Sequence, residues 1–240
     1  MTTIQPCDRS LVSVRASVSL PARHRIVEIF PDREPTSTSR ARFAIAGYPG
    51  AGRSRAASRQ HATELLAALL DSRAESRHDW TLNHTASGAP QLLVNGEACP
   101  VNISLAHCGD AVAVGVARGL AIGVDLEYMR HRPNMQAISE FVGWSGSTTD
   151  SDEFYARWTL WEAFAKCVSG SLLNKTNHRI ENLTAHRSVG RMVFAANLAA
   201  LCDCMGGDVM YSFVLAGDAA PYLAHRVVDL HELTPWPIDL

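Results

Sequence analysis

The sequence predicts a mixed fold in which helices pack on β-sheets, and three stretches carry that prediction. Leu120 to Leu126 is an apolar run of strand length. Phe154, Trp158, Trp161, Ala165 and Val168 recur at steps of four and three, the spacing of one buried helical stripe. Between Arg53 and Ser72, Ala57, His61, Leu65, Ala68 and the neighbouring Leu69 form a second stripe, and Ser54 stands where a helix N-cap belongs.

The other elements follow in chain order. Residues 1–20 alternate loosely, Arg25 to Phe30 reads as a short strand, and the proline-, serine- and threonine-rich Pro31 to Ser39 reads as a loop. Arg53, Arg55 and Arg59 cluster on the first turns of the Arg53–Ser72 helix, either as a solvated face or as an anion contact. Ser87-Gly88-Ala89-Pro90 is a turn, and Asn102 to Cys108 leads into a buried strand from Ala111 to Ala117. A Gly119 turn then predicts a hairpin with Leu120 to Leu126. Tyr128 to Asp152 is polar and turn-rich, the composition of a mobile insert able to meet a partner protein. Met192 to Ala195, Met210 to Ala216 and Tyr222 to Val228 read as antiparallel strands of a closing sheet.

Composition limits the function. A chain of 240 residues with 47% hydrophobic content can form one large domain or two small ones. A formal net charge of −2 argues against bulk nucleic-acid binding and against a polybasic membrane anchor, so phosphate recognition has to be local. Only Lys166 and Lys175 among the 22 basic residues are lysines. Cys7, Cys99, Cys108, Cys167, Cys202 and Cys204 include no Cys-x-x-Cys pair, and Cys202-Asp203-Cys204 is too tight for zinc. Free thiols in a reducing compartment are expected. With no secretory leader and no apolar run approaching about 18–20 residues, the expectation is a soluble, cytoplasmic protein.

The chemistry concentrates between Gly123 and Gly170. Period-2 alternation places Asp125 and Glu127 on one face of their strand, while Glu162 and Lys166 lie one turn apart on the helix. Taken singly, the first pair reads as a solvated strand face and the second as a surface ion pair worth about 0.2–0.5 kcal/mol. Together, three carboxylates offer hard oxygen ligands suited to magnesium, and a lysine adds a point charge suited to phosphate.

Gly123-Val124-Asp125-Leu126-Glu127 followed by Trp158-Thr159-Leu160-Trp161-Glu162-Ala163-Phe164-Ala165-Lys166 resembles the paired motifs of the phosphopantetheinyl transferases of the surfactin-synthetase type. The resemblance covers about residues 45 to 230. It departs at Trp161, where the family usually has lysine, at Ala89, which replaces a basic residue, and at Ser169-Gly170-Ser171, where the family has Gly-x-Gly. The acidic residue that commonly follows the phenylalanine matched by Phe141 is also missing.

The resemblance implies an α+β fold of two similar α/β halves in pseudo-twofold arrangement, residues 1–119 and 120–240, with the active site at their seam. It implies transfer of 4′-phosphopantetheine from coenzyme A to a serine of an apo acyl or peptidyl carrier protein, releasing 3′,5′-ADP. Asp125, Glu127 and Glu162 would hold Mg2+. Lys166 would offset charge on the pyrophosphate, and Arg59 of Ser58-Arg59, with His107, would meet the 3′-phosphate of coenzyme A. Glu162 is the candidate general base toward the serine hydroxyl, directly or through a water. Two fused halves imply a monomer, with neither nucleic acid nor membrane as partner. The departures leave two alternatives: a non-catalytic relative that binds coenzyme A or a carrier protein, and an unrelated magnesium-dependent phosphohydrolase.

Overall fold

The computed structural model describes residues 21, 23–31, 39–48, 54–70, 80–86, 88–142, 144, 150–168, 192–195, 197–218, 220, 223–229, 232, 233 and 236. Along the chain run β1 (Arg23–Pro31), β2 (Arg40–Gly47), α1 (Arg55–Leu70), β3 (Trp80–His84), β4 (Pro90–Val94), β5 (Glu97–Cys108), β6 (Ala111–Arg118) and β7 (Ala121–Tyr128). Then come α2 (Met135–Val142), α3 (Ser151–Cys167), β8 (Met192–Ala195), β9 (Leu198–Met205), β10 (Val209–Ala216) and β11 (Leu223–Val228).

Strands β2, β6 and β10 bury almost every residue on both faces, which demands a layer above and a layer below. Two antiparallel sheets supply the inner layers, one in the order β11-β1-β2-β6-β5-β4-β3 and the other β7-β10-β9-β8. Their facing surfaces share one core, in which Phe43 of β2 stacks on Tyr211 of β10 at 5.4 Å between ring centroids. On the outer side of the larger sheet, Leu65, Leu66 and Leu69 of α1 pack against Ala44, Val112, Val114 and Val116. The smaller sheet carries α3, whose Leu160, Trp161 and Phe164 pack on Leu198, Ala200 and Val214. The order of layers is therefore helix, sheet, sheet, helix.

Local chemistry accounts for the helix ends. Ser54 Oγ accepts the Ala57 N–H at 3.1 Å, so the expected cap starts α1. Asp150 does the same for α3 by accepting the Asp152 N–H at 3.0 Å. Because α3 ends at Cys167, Val168 escapes the buried stripe and is 43% exposed, contrary to its expected core position.

The expected hairpin across Gly119 does not form. Although Gly119 does turn, with φ at +69°, β6 and β7 belong to different sheets and lie face to face. Gly115 of β6 permits this contact: a Cβ there would stand 2.6 Å from Ile122 and 2.8 Å from Val124. The strands of the closing region also divide, since β8 and β10 join the smaller sheet whereas β11 returns to pair with β1. Strands β2, β3, β4 and β9 and helix α2 were not anticipated; the helix occupies part of the Tyr128–Asp152 insert.

No helix among the described residues is long and apolar enough to cross a membrane. Cys99, Cys108, Cys167, Cys202 and Cys204 are free thiols. The readings of residues 1–20, of most of Pro31–Ser39, of Arg53 and of Ser169-Gly170-Ser171 lie outside the described residues.

Candidate active site

Helix α3 lies directly on β7 because residue 123 has no side chain. A Cβ at Gly123 would stand 1.8 Å from the Ala163 carbonyl oxygen and 2.5 Å from the Cys167 nitrogen. This crossing fixes which side chains meet. Glu162 precedes Ala163, Lys166 precedes Cys167, and Asp125 lies two residues beyond Gly123 on the same strand face. The two sequence motifs therefore meet in space.

Lys166 Nζ donates to Asp125 Oδ1 at 2.8 Å and to the Val124 carbonyl oxygen at 3.0 Å. Ser104 Oγ of β5 accepts the Val124 N–H at 3.0 Å. Among the described residues β7 has a sheet partner on one side only, and these two side chains satisfy backbone groups along its other edge. Opposite Asp125 in register stands Ser212, whose hydroxyl is 2.9 Å from Thr159 Oγ1 of α3.

Asp125 is only 4% exposed, yet its Oδ2 is buried without a hydrogen-bond partner among the described residues. The Glu162 carboxyl faces it, and two ionised carboxylates cannot donate to each other. Burial pushes the Asp125 carboxyl up to about 7; Lys166 opposes that rise and Glu162 adds to it. Glu162 is also raised, chiefly by burial, against the pull of Lys166. A proton shared by the two carboxyls, or a cation held by both, would satisfy the pair.

Glu127 lies farther along the same face but is engaged elsewhere. Its Oε2 accepts from Arg132 Nη2 at 3.3 Å and from the Cys108 thiol at 3.4 Å. Burial raises the Cys108 thiol, and the neighbouring Glu127 raises it further. Arg132 in turn sits 5.4 Å from the centre of the Tyr155 ring. Among the described residues, no group of three or more His, Cys, Asp or Glu is assembled to hold a metal ion. The donor set nonetheless fits a hard divalent cation: all the ligands are carboxylate oxygens, and the unpartnered Asp125 Oδ2 faces Glu162.

The two residues expected at a 3′-phosphate lie on another layer. Arg59 is exposed on α1. His107 is exposed near the end of β5, where the pleat groups it with Ile103 and Leu105 on the face that carries α1. Its neighbour Cys108 faces Glu127 instead, so the end of β5 separates His107 from the carboxylates while remaining beside both.

Trp161 occupies the buried stripe, 7% exposed and edge-on to Trp144 at 5.9 Å and to Trp158 at 6.3 Å. An indole at this position contributes packing and is not directed at the carboxylates. Phe141 is 59% exposed on α2. Ala89 is exposed beside Gly88, whose φ is +85°. The sequence reading did not single out Arg132, Cys108 or Ser104 for this site. Their available signals were the Arg130-His131-Arg132 run and the pleat of β5, which points Ser104 and Cys108 toward β7.

No family model matches the sequence, and no curated protein matches it. Any link to a known family therefore rests on the motif residues themselves.

Proposed function

We propose that this protein transfers 4′-phosphopantetheine from coenzyme A to a serine of an apo acyl or peptidyl carrier protein, in a magnesium-dependent reaction. The supporting observation is the Gly123 crossing, which brings Glu162 and the exposed Lys166 of one motif beside the buried Asp125 of the other. On this reading residues 1–119 and 120–240 are the two related halves, with β11 of the second pairing into the sheet of the first, acting together as a monomer in the cytoplasm.

In the reaction the serine oxygen bonds to the phosphorus that carries pantetheine. The bond from that phosphorus to the bridging oxygen of the pyrophosphate breaks, and 3′,5′-ADP leaves with the electron pair. Magnesium, when bound, supplies charge neutralisation for the pyrophosphate. Asp125 and Glu162 would hold it, joined by Glu127. Lys166 keeps Asp125 in place and adds positive charge where the leaving group develops its negative charge. Glu162, raised by burial, takes the serine proton. Arg59 and His107 bind the 3′-phosphate from the α1 side.

A second reading is a non-catalytic binder of coenzyme A or of a carrier protein. It is favoured by the engagement of Glu127 with Arg132, which leaves the carboxylates short of a three-ligand group. Intact-mass measurement of several apo carrier proteins, incubated with the protein, coenzyme A and magnesium, separates the two. The transferase reading requires the phosphopantetheine mass on at least one carrier. Coenzyme A binding without any mass gain supports the binder.

A further inference from the structure

We propose that Arg132 is an anion-binding residue of this site, and that before ligand arrives its guanidinium occupies the place of the divalent cation on Glu127. The identity of the anion as a phosphoryl group rests on the functional reading above.

Three observations carry the inference. Arg132 contacts Glu127 Oε2 through Nη2 at 3.3 Å, a long contact for a charge-assisted pair. Its Nε is buried and has no hydrogen-bond partner among the described residues, so the fork that would grip a planar pair of oxygens is only partly used. The Tyr155 ring, 5.4 Å away, holds the guanidinium beside the site independently of Glu127. Tyr155 is itself fixed, because its hydroxyl donates to the Arg130 carbonyl oxygen at 2.9 Å.

Charge balance connects these facts. With all groups ionised, Asp125, Glu127 and Glu162 carry three negative charges against two positive charges on Lys166 and Arg132. A divalent cation turns the net charge from one negative to one positive, and an anion is then attracted. Such a cation competes with Arg132 for Glu127 Oε2. When it wins, the stacked guanidinium stays in the site with its donors available to the anion.

One substitution should therefore move two affinities in opposite directions. Isothermal titration of the full chain with magnesium chloride alone, and with inorganic pyrophosphate in excess magnesium, reads both. Arg132→Gln should bind magnesium more tightly than the wild type and bind pyrophosphate more than about tenfold more weakly, the scale of one charge-assisted contact. Arg132→Lys keeps the charge but not the fork, so it should leave magnesium affinity near wild type while recovering part of the pyrophosphate affinity. It also carries the test if Arg132→Gln fails to fold. Affinities that fall together, or remain unchanged, would overturn the proposal, as would a wild-type protein that binds neither probe. Opposite shifts alongside an unmodified carrier would reject the transferase reading while retaining this one.

Discussion

Two buried charged residues in this molecule are treated in opposite ways. Arg42 of β2 is 1% exposed and its bonds use every nitrogen: Nε and Nη2 donate to Glu28 Oε1 at 3.3 and 3.0 Å, and Nη1 donates to the Leu69 carbonyl oxygen at 3.0 Å. The Trp236 ring lies 5.1 Å from its guanidinium carbon, and Arg226 occupies the other oxygen of Glu28 at 2.7 Å. Asp125 of β7 is almost as deeply buried, yet it keeps one oxygen unpaired and faces another carboxyl. A buried charge that serves structure has its hydrogen-bonding capacity filled by the fold. One that retains capacity, at a crossing built around a glycine, is on the proposed reading placed for a ligand.

The comparison can be broken from either side, and the largest effect is expected on the structural side. Glu28→Ala leaves Arg42 buried without its counter-charge and should cost about 3–5 kcal/mol in urea denaturation. A loss under 1 kcal/mol would mean that water reaches Arg42. Gly123→Ala comes next. A methyl group directed at the Ala163 carbonyl oxygen must displace α3, so a loss near or above the top of the ~1–3 kcal/mol range for overpacking is expected. Unchanged stability would show that α3 does not lie on β7 at this point.

The two clusters should also respond to pH with opposite sign. Burial raises the Asp125 carboxyl above its ordinary value of 3.8 to about 7, so its contribution is full below 3.8 and is lost as pH rises through about 7. Burial alone would raise Glu28 as well, but hydrogen bonds from Arg226 and Arg42 outweigh it and the carboxyl ends below 4.5. Its contribution is present above 4.5 and is lost as pH falls through its depressed folded value. Melting curves without divalent cations should show Asp125→Asn removing the decline between pH 3.8 and about 7, and Glu28→Gln weakening the protein most at neutral pH. If Asp125→Asn melts in parallel with the wild type at every pH, Asp125 carries no excess charge.

The smallest effects belong to the exposed pair. Arg59→Ala and His107→Ala should leave the melting temperature unchanged and weaken coenzyme A by more than about tenfold, with 3′-dephospho-coenzyme A nearly unaffected. Equal losses for both ligands, read by titration calorimetry, would remove these residues from the 3′-phosphate.

The sequence made these sites legible to different degrees, for physical reasons. Period 2 placed Asp125 and Glu127 on one face, and the helical stripe placed Glu162 and Lys166 on one edge, because a single element fixes each relation. Burial of Asp125 depends on α3 lying across β7, a tertiary fact recorded locally only by Gly123. Lys166 was assigned to phosphate, whereas it also holds Asp125, since a side chain's partner depends on packing between elements. The false hairpin at Gly119 has a similar cause. Strands buried on both faces carry no alternation to show whether a turn joins neighbours within a sheet or passes between sheets.

Thermal unfolding of the wild type and Asp125→Asn at pH 8, each with and without magnesium, tests the central claim most directly. The account predicts that without magnesium Asp125→Asn melts above the wild type, because it removes a buried charge that nothing fully balances. Magnesium should then raise the melting temperature of the wild type and leave that of Asp125→Asn unchanged. A variant that melts below the wild type without magnesium, together with no response of either protein to the metal, would show that Asp125 is a structural charge like Arg42 and that the crossing holds no cation.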